Sequence, residues 1–225
     1  MNVKTKFTIN AFTTSLVFSI LLFIVAGRLD YWEGWIYLIA NIITTLMNVL
    51  TISADSELMS ERMKPGQGIE LWDKKLLGIS FLLFILTIVA AGLDSGRYHT
   101  ALQPNWSLAA AGVLVLVSGQ SIFLTARHEN KFFSTVVRIQ KERGHTVCDS
   151  GIYRIVRHPG YFGMMISTAG LPLILGSIWS VIPVLVSIII LCVRTVLEDN
   201  TLTKELDGYA EYAKKVRFKV LPKVW

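Results

Sequence analysis

The residues GHTVCDSGIYRIVRHPGYFG, at positions 144–163, mark the point where the character of the chain changes. They include two arginines, two histidines, two tyrosines and a proline, and residues 159–193 then contain no Asp, Glu, Lys or Arg. A dense polar patch therefore meets a long apolar run within one residue. Such a junction is expected where a membrane surface meets water.

The composition of the whole chain also indicates a membrane protein. Of its 225 residues 52% are hydrophobic and 17% are charged, whereas soluble domains carry about 25% charged residues. Charge-free runs able to cross a bilayer lie at 7–27, 34–54, 76–93, within 98–126 and within 159–193. We predict one all-α integral membrane domain over residues 1–225, with about six transmembrane helices, four of them within 1–126.

The first run raises the alternative of a signal peptide. It has 21 charge-free residues, more than the roughly 7–15 of a signal-peptide core. A retained first span is therefore the preferred interpretation.

The run at 159–193 predicts a tight helical hairpin. Its 35 residues would make a single helix about 52 Å long, too long to cross a hydrocarbon core of about 30 Å once. They are too few for two full crossings and a turn, so we expect two short helices that meet near Leu175, Gly176 and Ser177. Arg194 and Glu198 would then lie at the membrane surface.

Basic residues predict the orientation. Of the 22 Lys and Arg, 20 lie in the N-terminal segment, in residues 55–75 and 127–158, and in the tail from 194. Since cytoplasmic loops are enriched in Lys and Arg, both termini are expected in the cytoplasm. The net charge of +6 is thereby read as an orientation signal and an attraction to anionic lipid, not as nucleic-acid binding.

The polar segments have different expected roles. Residues 55–75 read as a solvated connector with a Pro-Gly-Gln-Gly turn. Residues 127–158 contain Phe132, Phe133 and Val137, too apolar for disorder, and are expected to lie ordered on the membrane face. In the tail, apolar residues recur at helical spacing and predict an interfacial amphipathic helix interrupted at Gly208.

Two groups of residues have both a functional and a structural interpretation. Pro159 favours a helix start, where unpaired backbone N–H groups attract anions. Gly160 and Gly163, which have no side chains, would let a ligand approach the backbone. The alternative is that Arg157 and His158 only anchor the helix at the lipid headgroups. Arg194 and Glu198 share a helix face, and ionisable groups at the end of a membrane helix are usually functional. Their alternative is a salt bridge that caps the last turn.

Other polar residues are assigned structural roles. Asp199 points about 100° away from Glu198 and is less expected to act directly. His128, Glu129 and Asn130 read as interfacial anchors, and Gln120 as an interhelical hydrogen-bond partner. The two cysteines suggest no disulfide framework, and no His or Cys spacing indicates a metal site.

Residues 144–163, the hairpin and the Arg194-x-x-x-Glu198-Asp199 pattern together resemble the isoprenylcysteine carboxyl methyltransferase family, in a prokaryotic-type member. The related phospholipid N-methyltransferases share the superfamily. The resemblance covers about the last 100 residues, and it implies that residues 127–225 form the catalytic part and bind S-adenosylmethionine. Asp199 stands where the family commonly has a second glutamate.

The resemblance also implies the site residues. Catalytic roles fall on Arg194, beside the methyl acceptor, and on Glu198. Cofactor contacts fall on His145, Thr146, Val147, Cys148, Tyr153, Arg157, His158, Pro159, Gly160, Tyr161 and Glu198. Arg138 falls at a polar cofactor contact of some members, and Gln140 could take its place.

The chemistry of these residue types agrees with methyl transfer. Arg157 and His158 at a helix start suit the carboxylate of the cofactor, and Glu198 suits its ribose hydroxyls or amino group. A carboxylate acceptor needs no general base and could be held by Arg194, whereas an amine would have to arrive deprotonated. This favours O-methylation of a lipid or another lipophilic small molecule. We expect the protein to lie in a cell inner membrane.

Two other functions remain open from the sequence. An NADPH-dependent sterol or enone reductase has a similar C-terminal segment, but there the residue after the matching glycine is typically acidic, and here Met164 follows Gly163. A non-catalytic membrane protein, such as a transporter, would place polar groups near mid-membrane. The acceptor and the oligomeric state are not determined by the sequence.

Overall fold

The computed structural model describes residues 3–51, 56–63, 65, 67–99 and 105–225. All regular structure in this part of the chain is helical. The helices are α1 Val3–Ala26, α2 Trp32–Leu50, α3 Ser56–Met63, α4 Leu71–Ala91, α5 Trp106–Glu129, α6 Pro159–Leu175, α7 Val181–Glu205 and α8 Tyr209–Lys215. A π-helix, Gly92–Tyr98, continues α4, and two single turns of 3-10 helix, Lys141–Arg143 and Gly151–Arg154, lie between α5 and α6.

The predicted membrane architecture is confirmed. The helices α1, α2, α4 with its π-helix, α5 and α7 are long and apolar enough to cross a bilayer, and α6 is a shorter apolar helix of 17 residues. Many large apolar side chains on these helices are exposed, among them Ile24 and Leu114, as a lipid-facing surface requires. The 35-residue run is divided between α6 and the start of α7, as predicted.

The helices alternate in direction, so that the polar segments collect at one end of the bundle. There the guanidinium of Arg127, at the end of α5, donates to Asn48 Oδ1 over 2.9 Å and to Thr51 Oγ1 over 2.7 Å at the end of α2. At the opposite end the Tyr31 hydroxyl donates to Leu175 O over 3.1 Å. We call the first of these the site end and the second the hairpin end.

The hairpin turns where the sequence predicted. Gly176 ends α6 with φ of 58°, in the left-handed region that glycine tolerates best. Asp94 in the π-helix accepts hydrogen bonds from Ser177 Oγ over 2.7 Å and from the Trp179 N–H over 3.1 Å. The second helix is not short, however: α7 has 25 residues and carries Arg194 and Glu198 within it.

Glycines bring α5 and α6 into backbone contact. A Cβ at Gly163 would lie 2.6 Å from Gly119 O, and a Cβ at Gly170 would lie 2.7 Å from Gly112 O. At Gly160 it would lie 2.7 Å from the Phe133 ring. The expectation that Gly160 and Gly163 are bare so that a ligand can approach is therefore wrong for Gly163, whose missing side chain admits α5, and at Gly160 the nearest neighbour is a protein ring.

Residues 55–75 are more than a solvated connector, which corrects the sequence-based expectation. Glu61 on α3 is 7% exposed, and Asp73 in the first turn of α4 is fully buried. Both carboxylates are ion-paired with arginines far along the chain, Glu61 with Arg138 and Asp73 with Arg194. The predicted Pro-Gly-Gln-Gly turn lies partly outside the described residues.

Two further predictions about the site end are confirmed. Residues 127–158 adopt a defined structure that includes two turns of 3-10 helix, and the tail is interrupted at Gly208, which has φ of 82° between α7 and α8. An apolar cluster of Leu206, Tyr209 and Tyr212 holds α8 against Val147. The chain beyond α8 then returns to the start of α6, where the N–H groups of residues 157 and 158 donate to the carbonyls of residues 218 and 219.

Candidate active site

A cavity of about 320 Å³ opens at the site end, within the size range of small-molecule sites. It lies between residues 130–158, the start of α6, the C-terminal half of α7 and α8. The sequence-predicted residues that line it are His145, Thr146, Val147, Cys148, Tyr153, Arg157, His158, Gly160, Tyr161, Arg194 and Glu198. Pro159, the remaining one, is fully buried and serves as the first residue of α6.

Asp199 is the centre of a buried network beside the cavity. Its carboxylate accepts two hydrogen bonds from Arg157, each of 2.8 Å, and one of 2.9 Å from the Tyr209 hydroxyl. His158 Nε2 lies 3.0 Å away and Lys219 Nζ 3.4 Å away. Asp199 thus joins α7, α8, the tail and the start of α6, which the sequence did not predict for it.

Arg157 uses four of its five N–H donors in contacts within the protein. Besides Asp199, its Nη1 donates to Val216 O over 2.7 Å and to Arg217 O over 2.9 Å. Burial alone would lower the pKa of Arg157, but the hydrogen bonds and charge of Asp199 raise it. The expectation that Arg157 presents its guanidinium to the carboxylate of a cofactor therefore finds no support in this arrangement.

Arg194 pairs with Asp73 and not with Glu198. Its Nε donates to Asp73 Oδ1 over 2.6 Å, and its Nη2 to Asp73 Oδ2 over 3.2 Å and to Thr135 O over 2.9 Å. Among the residues that the structure describes, Nη1 has no hydrogen-bond partner. Since Arg194 lines the cavity, two N–H donors of Nη1 remain for a ligand.

Glu198 lines the same part of the cavity. Its carboxylate accepts a hydrogen bond from the hydroxyl of Tyr161, and the guanidinium of Arg194 lies 5.4 Å from the centre of the Tyr161 ring. The alternative interpretation, a capping salt bridge between Arg194 and Glu198, is not borne out, because the guanidinium of Arg194 pairs with Asp73. One carboxylate and one partly free guanidinium therefore face the cavity side by side, one helical turn apart.

The opposite wall is built from aromatic side chains and the 3-10 turns. The Tyr212 hydroxyl donates to Tyr153 O over 2.7 Å, and the Tyr153 hydroxyl to Ala126 O over 3.2 Å. Burial lowers the pKa of His145 to about 4, with the charges of Arg138 and Arg143 acting in the same direction. His145 is consequently uncharged at neutral pH.

Several predicted contacts have changed roles. Arg138 lines the cavity but bonds both oxygens of Glu61 and one of Glu142, and Gln140 donates to Phe132 O over 2.8 Å. Of the expected anchors, Asn130 lines the cavity and Glu129 accepts from the Ser150 hydroxyl. The Nε2 of Gln120 is buried without a partner in the described structure, so its expected interhelical bond is not formed.

Sequence reasoning missed four side chains of the site. Asp73, Arg62 and Tyr209 were read as parts of solvated or interfacial segments, and Asp199 as a bystander. One signal was available for Asp73, which is a carboxylate three residues before the start of the charge-free run at 76–93 and can reach a basic residue on a neighbouring helix. Within the described ranges no three His, Cys, Asp or Glu side chains are grouped so as to hold a metal.

Residues 110–204 match the sequence model of the isoprenylcysteine carboxyl methyltransferase family. These residues include most of the cavity wall and both Arg194 and Glu198. Over these 95 of its 225 residues the chain is similar to the family. The chain is a membrane-embedded methyltransferase that acts on a lipophilic substrate, and the reductase and non-catalytic alternatives are set aside.

Two named relatives are similar to the chain in sequence. The chain is 26% identical over 141 residues to protein-S-isoprenylcysteine O-methyltransferase B of Arabidopsis thaliana, covering 61% of this chain and 68% of that protein. It is 27% identical over 144 residues to a probable protein-S-isoprenylcysteine O-methyltransferase of Oryza sativa subsp. indica, covering 63% and 75%.

The fold of the methyltransferase resembles that of a eukaryotic intramembrane Ras methyltransferase, an isoprenylcysteine carboxyl methyltransferase. The TM-score is 0.58 at 17% identity, and the match covers 100% of this chain and 99% of that one. The likeness therefore extends to the four N-terminal helices, which the sequence pattern matched only in number and hydrophobicity.

Proposed function

We propose that this methyltransferase transfers the methyl group of S-adenosylmethionine to the carboxylate of an isoprenylated cysteine, in the cavity at the site end. The observation that carries the proposal is the position of two side chains of α7 at one cavity wall. Arg194 offers a guanidinium nitrogen without a partner there, and Glu198 offers a carboxylate. The names of the relatives supply the acceptor class.

The residues present fit the donor. Glu198 can accept hydrogen bonds from its hydroxyl or amino groups, and His145 to Cys148 with Tyr153 and Tyr161 offer backbone groups and flat aromatic faces. The first N–H groups of α6, at Gly160 and Tyr161, have no partner within the helix. When bound, the donor supplies an electrophilic methyl group on a positively charged sulfur.

The chain's own groups suit that charge. His145, with its pKa lowered to about 4 by burial, adds no positive charge to the cavity wall. Asp199 and the carbonyls of Val216 and Arg217 accept hydrogen bonds from all three nitrogens of Arg157. A cationic donor that binds beside Glu198 therefore meets a carboxylate and the aromatic ring of Tyr161.

Arg194 would hold the acceptor. A carboxylate is ionised at neutral pH, so the attacking oxygen needs no base, and charge-assisted hydrogen bonds from Nη1 would orient it. Asp73 fixes the guanidinium through two hydrogen bonds, which limits its freedom before the substrate arrives. Phe123, Phe133 and Met164 provide an apolar part of the cavity wall for the lipid chain.

We further propose that the site end faces the cytoplasm, with both termini on that side, and that the host membrane is a cell inner membrane. The concentration of 20 of the 22 Lys and Arg in the segments of the site end supports this orientation. The soluble donor would enter from water and the lipophilic acceptor from the bilayer.

The proposal is tested with purified protein in lipid nanodiscs, labelled S-adenosylmethionine and N-acetyl-S-farnesylcysteine. We expect base-labile label in the lipid product, as a methyl ester gives. Glu198→Gln should lower kcat/KM by about tenfold to a hundredfold, the loss of a hydrogen bond to a charged group. The matched control Glu205→Gln, at an exposed position of the same helix, should retain full activity. Base-stable label would instead indicate N- or C-methylation.

A further inference from the structure

Four arginines line the cavity, and three of them are neutralised by the protein. Arg138 pairs with Glu61, Arg157 with Asp199 and Arg194 with Asp73. Arg62 on α3 is the fourth. No carboxylate in the described part of the chain lies within ion-pair distance of it.

The contacts of Arg62 leave most of its hydrogen-bonding capacity unused. Nη1 donates to Phe133 O over 3.3 Å, and the guanidinium lies 5.5 Å from the centre of the Phe133 ring. Nε is buried and has no partner among the described residues. A planar guanidinium has five N–H donors. The Phe133 carbonyl and ring fix the position of this guanidinium, but they leave most of its N–H donors without an acceptor.

The described side chains around Arg62 do not compensate its charge. Arg127 lies close enough to Arg62 for the two positive charges to repel each other, and the hydrogen-bond partners of Arg127 are neutral groups of Asn48 and Thr51. Burial lowers the pKa of Arg62 to about 10, which leaves it charged at neutral pH. A buried charge without a partner is unfavourable, and an anion in the cavity would remove that penalty.

Arg62 and Arg194 contact the same segment of the cavity wall. Arg62 donates to the carbonyl of Phe133 and Arg194 to the carbonyl of Thr135. Both arginines therefore border residues 133–135 of the segment between α5 and α6, residues 130–158, which we call the cavity loop. Planar guanidinium groups suit carboxylates in particular.

We propose that Arg62 is a substrate-binding residue that recognises a carboxylate inside the cavity. The inference rests on the proposed function, which brings two carboxylates to this place, that of the amino-acid part of the donor and that of the acceptor. Both offer the same chemistry to Arg62. Arg157, which the sequence favoured for the donor, already uses four of its five N–H donors on Asp199 and backbone carbonyls.

The test measures equilibrium binding to nanodisc-embedded protein, without turnover. One pair of probes is S-adenosylhomocysteine and its decarboxylated analogue; the other is N-acetyl-S-farnesylcysteine and its carboxamide. For one pair, the wild-type protein should bind the acid about tenfold to a hundredfold more tightly than the neutral analogue. Arg62→Gln should reduce that preference to less than about threefold, and Arg62→Lys should retain part of it.

The pair whose preference is lost identifies the carboxylate. The matched control is Lys141→Gln, which removes one positive charge from an exposed position of the cavity loop and should leave both preferences unchanged. Thermal unfolding gives a second readout. Arg62→Gln should be no less stable than Lys141→Gln because it removes an uncompensated charge, whereas a structural arginine such as Arg138 should lower the melting temperature when changed to Gln.

Three results would overturn the inference. The first is a preference for both acids that survives in Arg62→Gln, with binding otherwise normal; this result leaves the proposed function intact. The second is a large loss of stability in Arg62→Gln with weaker binding of all four probes, which would make Arg62 structural. The third is a wild-type protein that binds neither acid, which would refute the proposed function as well.

Discussion

Replacing Asp199 with asparagine should destabilise the protein strongly. The carboxylate and the Arg157 side chain are each only 6% exposed, and the carboxylate also accepts from Tyr209 and lies beside His158. Breaking a buried ion pair from one side costs about 3–5 kcal/mol, because the remaining charge stays buried and unpaired. We expect a loss near the lower limit, about 3 kcal/mol, since asparagine keeps one acceptor oxygen.

The assay is reversible unfolding in mixed micelles, followed by tryptophan fluorescence. For a chain of this size a loss of about 3 kcal/mol corresponds to a fall in melting temperature of about 6–12 °C. The control is Asp207→Asn, an exposed carboxylate of the same tail, which should change stability by less than about 0.5 kcal/mol.

A double-mutant cycle separates the ion pair from other effects of the substitution. Because Asp199→Asn leaves Arg157 unpaired, the double variant with Arg157→Met should lose about 2–3 kcal/mol less than the sum of the two single losses. A loss below about 1 kcal/mol in Asp199→Asn, or additive effects in the cycle, would refute the view that this network fastens the tail over the start of α6.

Three further predictions concern other parts of the site. Asp73→Asn should raise the KM for the acceptor in steady-state assays while a donor analogue binds with unchanged Kd, because the carboxylate positions Arg194; equal changes in both constants would argue against this role. Gly163→Leu should separate α5 from α6 and lower the melting temperature by several degrees, since a Cβ alone meets Gly119 O at 2.6 Å, whereas an unchanged melting temperature would contradict the close packing. The pKa of His145 is lowered to about 4 in the folded protein, whereas its ordinary value is near 6.5. Between these pH values the unfolded chain therefore binds more protons than the folded protein. The free energy of unfolding should fall as the pH is lowered from about 6.5 to about 4, and it should fall less in His145→Gln.

The architecture could be predicted because it follows from lengths and charges. A run of 35 uncharged residues fits the bilayer as a hairpin, and the glycine at its middle marks the turn. The start of α6 at Pro159 and the break at Gly208 follow from local backbone preferences. Constraints of this kind act along the chain and can be read without knowing which helices are neighbours.

The ion pairs of the site could not be predicted, because they depend on how the helices are rotated. Asp73 and Arg194 are 121 residues apart in the sequence, and their pairing takes the guanidinium away from Glu198, its neighbour on the same helix. Asp199 points away from Glu198, as predicted, but that direction leads to Arg157 and Tyr209 instead of to the lipid. The direction of the Asp199 side chain on its helix was predicted correctly, but the residues that it contacts could not be predicted.

The α5–α6 contact is an intermediate case. Gly112 and Gly119 on α5, and Gly163 and Gly170 on α6, are each seven residues apart and therefore lie on one face of their helix. Small residues repeated on a membrane helix indicate close helix packing. This signal was present, but proximity to the polar patch favoured a ligand-related interpretation of Gly163.

The central claim is that the methyl donor binds in the cavity at the site end, and two free cysteines allow a direct test. Cys148 lines the cavity, whereas Cys192 lies on α7 outside the group of lining residues. Burial raises the pKa of the Cys148 thiol, so alkylation is best followed by mass spectrometry above pH 8.5. Saturating S-adenosylhomocysteine should slow alkylation of Cys148 at least tenfold, on the order expected for a filled site, and leave Cys192 unaffected. An unchanged rate at Cys148 with the ligand demonstrably bound would place the donor elsewhere and contradict the account.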